Sequence, residues 1–286
     1  MQKTIDEKLM KDILKGFVIP PRPQIVADIQ IESAMPEPDI NEIAKLISQD
    51  ASISGSVLKT INSPLFGLAG KIKSVSHAVN LMGLESVVNI VTALSLKRIL
   101  SDDSVNGLNR FWDTANDVAN ASVIVSKYIG FSSSDEAYSL GLFHDCGIPL
   151  MMMKYPNYLD VLERGYQDSE KRVIDAENEI YKTDHSVLGY YTAKTWKLPD
   201  YISEIISYHH CVNKIFDQDR KNRTQKKDLL LILKISEHIC GSFRTMGSSI
   251  TNYEWEHIKD ALLDYGGLVD DDILNMSDEF KDSGIA

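Results

Sequence analysis

At 286 residues the chain is long enough for one large domain or two medium ones, and 43% hydrophobic with 25% charged residues is the balance of a globular protein with a sizeable core. Lys and Arg total 30 against 41 Asp and Glu, so the formal net charge of -11 repels phosphate backbones and anionic lipid and disfavours a general nucleic-acid binder. No run approaches the roughly eighteen apolar residues of a membrane span, and the opening MQKTIDEKLMKDILKGF mixes acids and bases where a signal peptide would be apolar, so a cytoplasmic protein away from membranes is expected.

Apolar residues recur at helical spacing along nearly the whole chain and strand-like alternation is scarce, which predicts an all-α fold. Residues 1–18 read as a short amphipathic helix, broken by the prolines of IPPRP from Ile19 to Pro23. A helix starting near Pro23 closes at Met35-Pro36-Glu37-Pro38. Asp39 is placed to cap a helix with Ile40, Ile43, Ala44 and Ile47 on one face, and Asp50 or Ser52 the next, which carries Ile53, Val57, Leu58 and Ile61. Asn62-Ser63-Pro64 stops it. Ser74 or Ser76 opens a short helix ending at Gly83, and a long helix follows with Leu84, Val87, Val88, Val91 and Leu94 as its expected stripe.

The polar stretch Ser101 to Asn109 is the expected boundary between an N-terminal helical subdomain, 19–109, and a second helical unit, 110–265. That unit opens with Phe111, Ala115, Val118, Ala119 and Ser122 on one face. Ser134 is expected to cap a helix whose buried stripe is Ala137, Leu140, Gly141 and His144. A helix from Thr183 or Asp184 stacks His185, Leu188, Gly189, Thr192 and Trp196, and one capped by Asp200 aligns Ile202, Ile205, Ile206 and His209. Residues 213–228 are strongly charged and read as a solvated loop or exposed helix start, before a buried helix, 229–240, that aligns Leu230, Leu233 and Glu237. The tail, 266–286, is acidic and expected to be peripheral. Three cysteines, Cys146, Cys211 and Cys240, argue for reduced thiols, and Met151, Met152 and Met153 read as core filler.

Three separate helices thus bring a histidine to an apolar face, with Asp145 beside His144 and His210 beside His209. Imidazole and carboxylate are donors that zinc, iron, manganese or nickel accept. A metal-free network in which Asp145 and Glu237 accept hydrogen bonds from the rings satisfies the same groups, and spacing does not choose between them.

The His-Asp doublet, the later histidines and the His-His pair resemble the HD superfamily of metal-dependent phosphohydrolases, in particular its HD-GYP branch. The order of motifs is more similar to the HDOD domain, a catalytically silent relative found in bacterial signalling proteins. The matching segments run from about residue 19 to 240: IPPRPQIV, IAKLISQDASISGSVLKTINSPLFG, KIKSVSHAVNLMGLESV, the tryptophan of FWDTA, LGLFHDCG, and DHSVLGYYTAKTWKLPDYISEIISYHH. The resemblance implies an HD-like helical bundle packed with the N-terminal subdomain. It also implies two metal half-sites, one mapping to Thr114, His144, Asp145 and Glu237, the other to Asp145, His185, His209 and His210.

The first half-site departs from the hydrolase pattern: Thr114 stands where a histidine is needed, and its hydroxyl is a poor ligand near neutral pH. The second keeps all four donors, a departure from silent HDOD domains that would allow a single transition-metal ion. Ile148 takes the place of a phosphate-facing lysine, and the Gly-Tyr-Pro signature is absent. The resemblance therefore implies a non-enzymatic signal-transduction module that acts by binding a signalling protein partner or a regulatory ligand; the alternative is a metal-dependent phosphohydrolase acting on a cyclic dinucleotide or nucleotide. A helix-turn-helix over residues 74–100 is disfavoured, since the second helix places Glu85 early and Lys97 and Arg98 only late.

Overall fold

The computed structural model describes residues 16–68, 71–101, 105–216 and 222–284, and the helix expected over 1–18 falls almost wholly outside them. Among the described residues every regular element is helical. The N-terminal half holds α1 (Gln24–Ser33), α2 (Ile40–Gln49), α3 (Ala51–Ile61), a single 3-10 turn at Pro64–Phe66, α4 (Val75–Met82) and α5 (Leu84–Leu100). Asp39 accepts from the amides of Asn41 and Glu42, Asp50 from Ser52 and Ile53, and Ser74 from His77, so the expected caps close these helices, with Asp50 and Ser74 the residues used. The stripe of α5 is broader than the spacing suggests: Ile90 and Leu96 are buried while Val88 and Leu94 are only half-buried. The reason is its place between layers, packed on α1, α3 and α4 on one side and on α7 on the other.

The second half continues with α6 (Leu108–Tyr128), α7 (Ser134–Phe143), α8 (Gly147–Lys154), α9 (Tyr158–Gln167), α10 (Val173–Tyr181), α11 (His185–Thr195) and α12 (Asp200–Tyr208). Then follow two single-turn helices, α13 (Asn213–Phe216) and α15 (Ser242–Thr245), on either side of the long α14 (Gln225–Cys240), and finally α16 (Tyr253–Gly266) and α17 (Asp270–Asp282). The most extensive helix pairing is between α6 and α7. A Cβ at Gly141 would lie 2.8 Å from the Cα of Ala119, so only glycine lets these axes approach as they do. One continuous apolar core runs through both halves. Trp196, wholly buried on the second half, donates from Nε1 to the carbonyl of Pro20 at 2.9 Å, which ties the IPPRP segment across the bundle.

Several expectations are corrected. Ser134 is the first helical residue, after Ser133 at the cap position, and its hydroxyl accepts from Ser126 at 2.9 Å. Asp200 likewise lies inside its helix, pairing with Lys194, because Pro199 occupies the cap position. The tail beyond residue 266 is not peripheral: Ile273, Met276 and Phe280 are buried as α17 packs on α14 and α6. The charged stretch 213–228 is not wholly solvated, since Ile215, Phe216 and Lys227 are buried and α14 already begins at Gln225; its middle, 217–221, lies outside the described residues. Met153 is 43% exposed, so only Met151 and Met152 fill core. No helix among the described residues is long and apolar enough to cross a membrane.

Candidate metal centre

The site is assembled from helix ends. His144 and His209 follow the last residues of α7 and α12, where carbonyls have no helical partner, and each ring donates from Nδ1 to the carbonyl three residues back, Gly141 and Ile206, both at 2.8 Å. That local bond turns Nε2 of both rings inward. His185 is the first residue of α11, positioned by Asp184, which caps that helix by accepting from Val187. Gly147 brings the chain after the His-Asp doublet against the same helix start: a Cβ there would stand 2.0 Å from the His185 carbonyl.

Asp145 is the centre of the cluster. Its Oδ1 lies 3.1 Å from His209 Nε2 and 3.3 Å from His185 Nε2, while Oδ2 lies 3.1 Å from His144 Nε2. The Nε2 atoms of His185 and His210 are 3.0 Å apart. Asp145, His185, His209 and His210 offer one donor atom each within 4.8 Å of one another. His144 Nε2 is shared between Asp145 and Glu237, whose Oε1 lies 3.3 Å away. The two oxygens of one carboxylate thus divide the six candidate residues into a compact quartet and a separate pair.

Around the quartet the outer ring nitrogens are held. His185 Nδ1 lies 2.9 Å from both oxygens of Glu177, which also accepts from the His185 amide at 3.0 Å and from the Tyr158 hydroxyl. His210 Nδ1 lies 2.9 Å from Glu254 at the start of α16. With carboxylates fixing the proton on each Nδ1, the facing Nε2 atoms of His185 and His210 both present lone pairs. Their contact requires either a proton on one ring or a cation shared between them. The donor set therefore fits a transition-metal ion, and it also closes as a proton network; both readings of the sequence survive.

Electrostatics follow the same division. Burial disfavours the charged form of every ring here, but Asp145 and Glu237 outweigh it at His144, and Glu177 with Asp145 outweighs it more strongly at His185, so both are raised. At His209 and His210 burial wins; His210 is pushed down to about 4 despite Glu254. Burial opposes ionisation of Asp145 too, yet the imidazoles of His144, His185 and His209 hold it well below the usual carboxylate range.

The first half-site is closed. Thr114 is buried and donates its hydroxyl back to the Arg110 carbonyl of its own helix at 2.9 Å. The space it shares with His144 and Asp145 is about 10 Å³, at the limit of what one water fills. Glu237 is occupied from behind by Lys234, whose buried ammonium lies 2.5 Å from Glu237 Oε2 and 3.1 Å from Glu254 Oε1. Access comes instead from the other side, where a cleft of about 280 Å³ lined by Tyr166, Arg172, Phe243 and Tyr253 reaches His210 and Glu254.

Lys234, Glu177 and Glu254 were not singled out by sequence reasoning. Lys234 had a signal, as a cation three residues before Glu237 inside the apolar run LLLILKISE. Glu177 and Glu254 sit on helices without a motif. Cys146 is buried, and burial with Asp145 nearby raises its thiol, consistent with a packing role.

Comparison with known proteins agrees with this architecture. The chain is 27% identical over 197 residues to an uncharacterized protein of Treponema pallidum (strain Nichols), and the match spans 67% of this chain and 37% of that relative's length. An HDOD domain protein from Geobacter sulfurreducens superposes with a TM-score of 0.68 at 22% identity, covering 96% of this chain and 93% of that one. A Shewanella amazonensis SB2B protein, provisionally named a metal-dependent phosphohydrolase, gives 0.69 at 17% identity, covering 97% and 96%. These likenesses show the shared fold. Residues 19–212 match the HDOD domain itself, most of the chain's length, and the chain belongs to the HDOD family.

Proposed function

We propose that this chain is a cytoplasmic regulatory module that works by binding, to a signalling protein partner or a ligand, and that it does not hydrolyse phosphoesters. The observation that carries the proposal is the closed half-site: Thr114 bonded to its own helix, about 10 Å³ of space beside it, and Glu237 held by Lys234. Two-metal hydrolysis needs a second ion to clamp the phosphate and activate water, and this side offers it neither room nor an uncompensated carboxylate. Ile148, wholly buried, cannot stand in for a phosphate-facing lysine.

The same reading assigns one transition-metal ion, of the iron, manganese, zinc or nickel class, to Asp145, His185, His209 and His210. When bound, such an ion would supply Lewis acidity and fix the cluster in one protonation state. Glu177, the Ile206 carbonyl and Glu254 orient the three rings for it. A second reading, a phosphohydrolase working from one metal, is favoured by the complete quartet and by the cleft that reaches His210.

Elemental analysis beside an activity assay separates the two. One metal per chain, lost in Asp145→Ala, with no turnover of bis(p-nitrophenyl) phosphate or cyclic dinucleotides in added manganese or iron, is the outcome the proposal requires. Turnover that disappears in Asp145→Ala would establish the hydrolase.

A further inference from the structure

A second cavity, far from the histidines in kind and composition, lies where the N-terminal helices meet α6 and α7. It holds about 680 Å³, within the roughly 300–1,000 Å³ range of small-molecule sites. Three helical stripes converge on it. α3 contributes Ser56, Lys59, Thr60 and, just past its end, Ser63; α5 contributes Lys97 and Arg98; α6 contributes Asn116 and Asn120 at a spacing that puts both amides on one face. Phe66 and Tyr138 complete the wall, their rings 5.9 Å apart and tilted by 60°.

The chemistry of this lining is one-sided. Among the described lining residues there are three cations and no carboxylate, in a chain whose net charge is -11. Arg98 is matched at 2.6 Å by Asp50, but Lys59 and Lys97 make no ion pair among the described residues, Lys97 Nζ lying 5.9 Å from the Trp112 ring centroid. Burial lowers the Lys97 ammonium pKa; Asp113 opposes this from α6, and the charge of Lys59 lowers it further, so two like charges converge on one cavity. Hydroxyls and amides that can donate surround them. The NSPLFG segment, which the metal cluster does not use, supplies part of this wall through Ser63, Pro64 and Phe66.

We propose that this cavity is a binding site for a mononucleotide, with the phosphate between Lys59 and Lys97, donors from Ser56, Thr60 and Ser63, and the base against Phe66 and Tyr138. A polyanion is disfavoured by the overall charge; a small dianion bearing a planar ring matches both the cations and the aromatic wall of this half-open cavity.

The test is calorimetric titration of the full chain with AMP, GMP, CMP and UMP, beside adenosine and inorganic phosphate. At least one mononucleotide should bind more tightly than either of those fragments, and Lys59→Gln/Lys97→Gln should weaken it by tenfold or more while Lys171→Gln, at the exposed edge of the other cleft, leaves it unchanged. Amine acylation read by mass spectrometry on the unaltered protein gives a second measurement, in which the same nucleotide should protect Lys59 and Lys97 but not Lys171 or Lys214. Absence of mononucleotide binding at millimolar concentration overturns the proposal. So does binding that survives the double substitution, or that depends on Lys171 instead.

Discussion

Lys234 bridges Glu237 and Glu254, at 2.5 and 3.1 Å, while those two carboxylates also face His144 and His210 at 3.3 and 2.9 Å. One buried ammonium therefore joins both edges of the histidine cluster through two helices, α14 and α16. It is only 3% exposed, and burial, which would favour its neutral form, is outweighed by the two carboxylates, so it stays charged. Removing it with Lys234→Met leaves Glu237 and Glu254 with only His144 and His210 to face, and the expected loss is ~3–5 kcal/mol at neutral pH. Glu254 is held below its ordinary value chiefly by His210 and Lys234, against the effect of burial. A depressed carboxylate contributes stability above its unfolded pKa and loses it as pH falls, so the deficit of the variant should shrink below about pH 4.5. Urea denaturation at pH 7 and pH 4 measures both.

Restoring the missing imidazole should not restore a second metal. Thr114→His places a ring where about 10 Å³ is free and where Glu237 is already paired. Overpacking of this kind costs ~1–3 kcal/mol. We expect a lower melting temperature with metal content still at or below one ion per chain, read by elemental analysis after manganese loading. A second bound ion in this variant would show that the half-site opens more readily than its packing implies.

His238 provides an acid-sensitive contact apart from the quartet. Its ring stacks on Trp255 with centroids 4.5 Å apart, and burial pushes its pKa down to about 4 against the pull of Glu256. The folded protein thus binds fewer protons than the unfolded chain between about pH 6.5 and 4, and stability falls as pH drops through that window. Allowing for partial exposure, the contribution is ~2 kcal/mol. His238→Phe should remove that share of the acid loss while keeping the stack, as seen in denaturation curves of both proteins at pH 7 and pH 4.5.

Gly147→Ala is expected to be far more damaging than its size suggests. The new Cβ would meet the His185 carbonyl at 2.0 Å, a backbone atom at the start of a packed helix, and α8 and α11 would have to separate. A destabilisation above ~3 kcal/mol is expected. Because His185 begins α11, metal affinity should fall with it. Equilibrium dialysis under conditions where the variant remains folded distinguishes this displacement from simple unfolding.

The helices that carry His144, His185 and His209 were legible because each histidine continued an apolar stripe at three-, four- and seven-residue spacing, and burial is what such stripes record. The closeness of His210 to His185, and the way Asp145 uses its two oxygens separately, depend on how α7, α11 and α12 cross, which no local pattern encodes. Glu177 and Glu254 escaped notice because a single acid on an amphipathic helix looks solvated until a partner helix covers it. In the tail, Ile273, Met276 and Phe280 stand at helical spacing, but DDD, DE and KD around them give the segment the composition of a solvated one.

The bond from Trp196 to Pro20 has a consequence for how the protein can be divided. A fragment cut at the polar stretch near residue 105 would leave a large indole without its carbonyl acceptor and without the chain that covers it. The amino-terminal helices and the histidine-bearing bundle are thus bound into one folding unit, in which loosening either part is felt by the other.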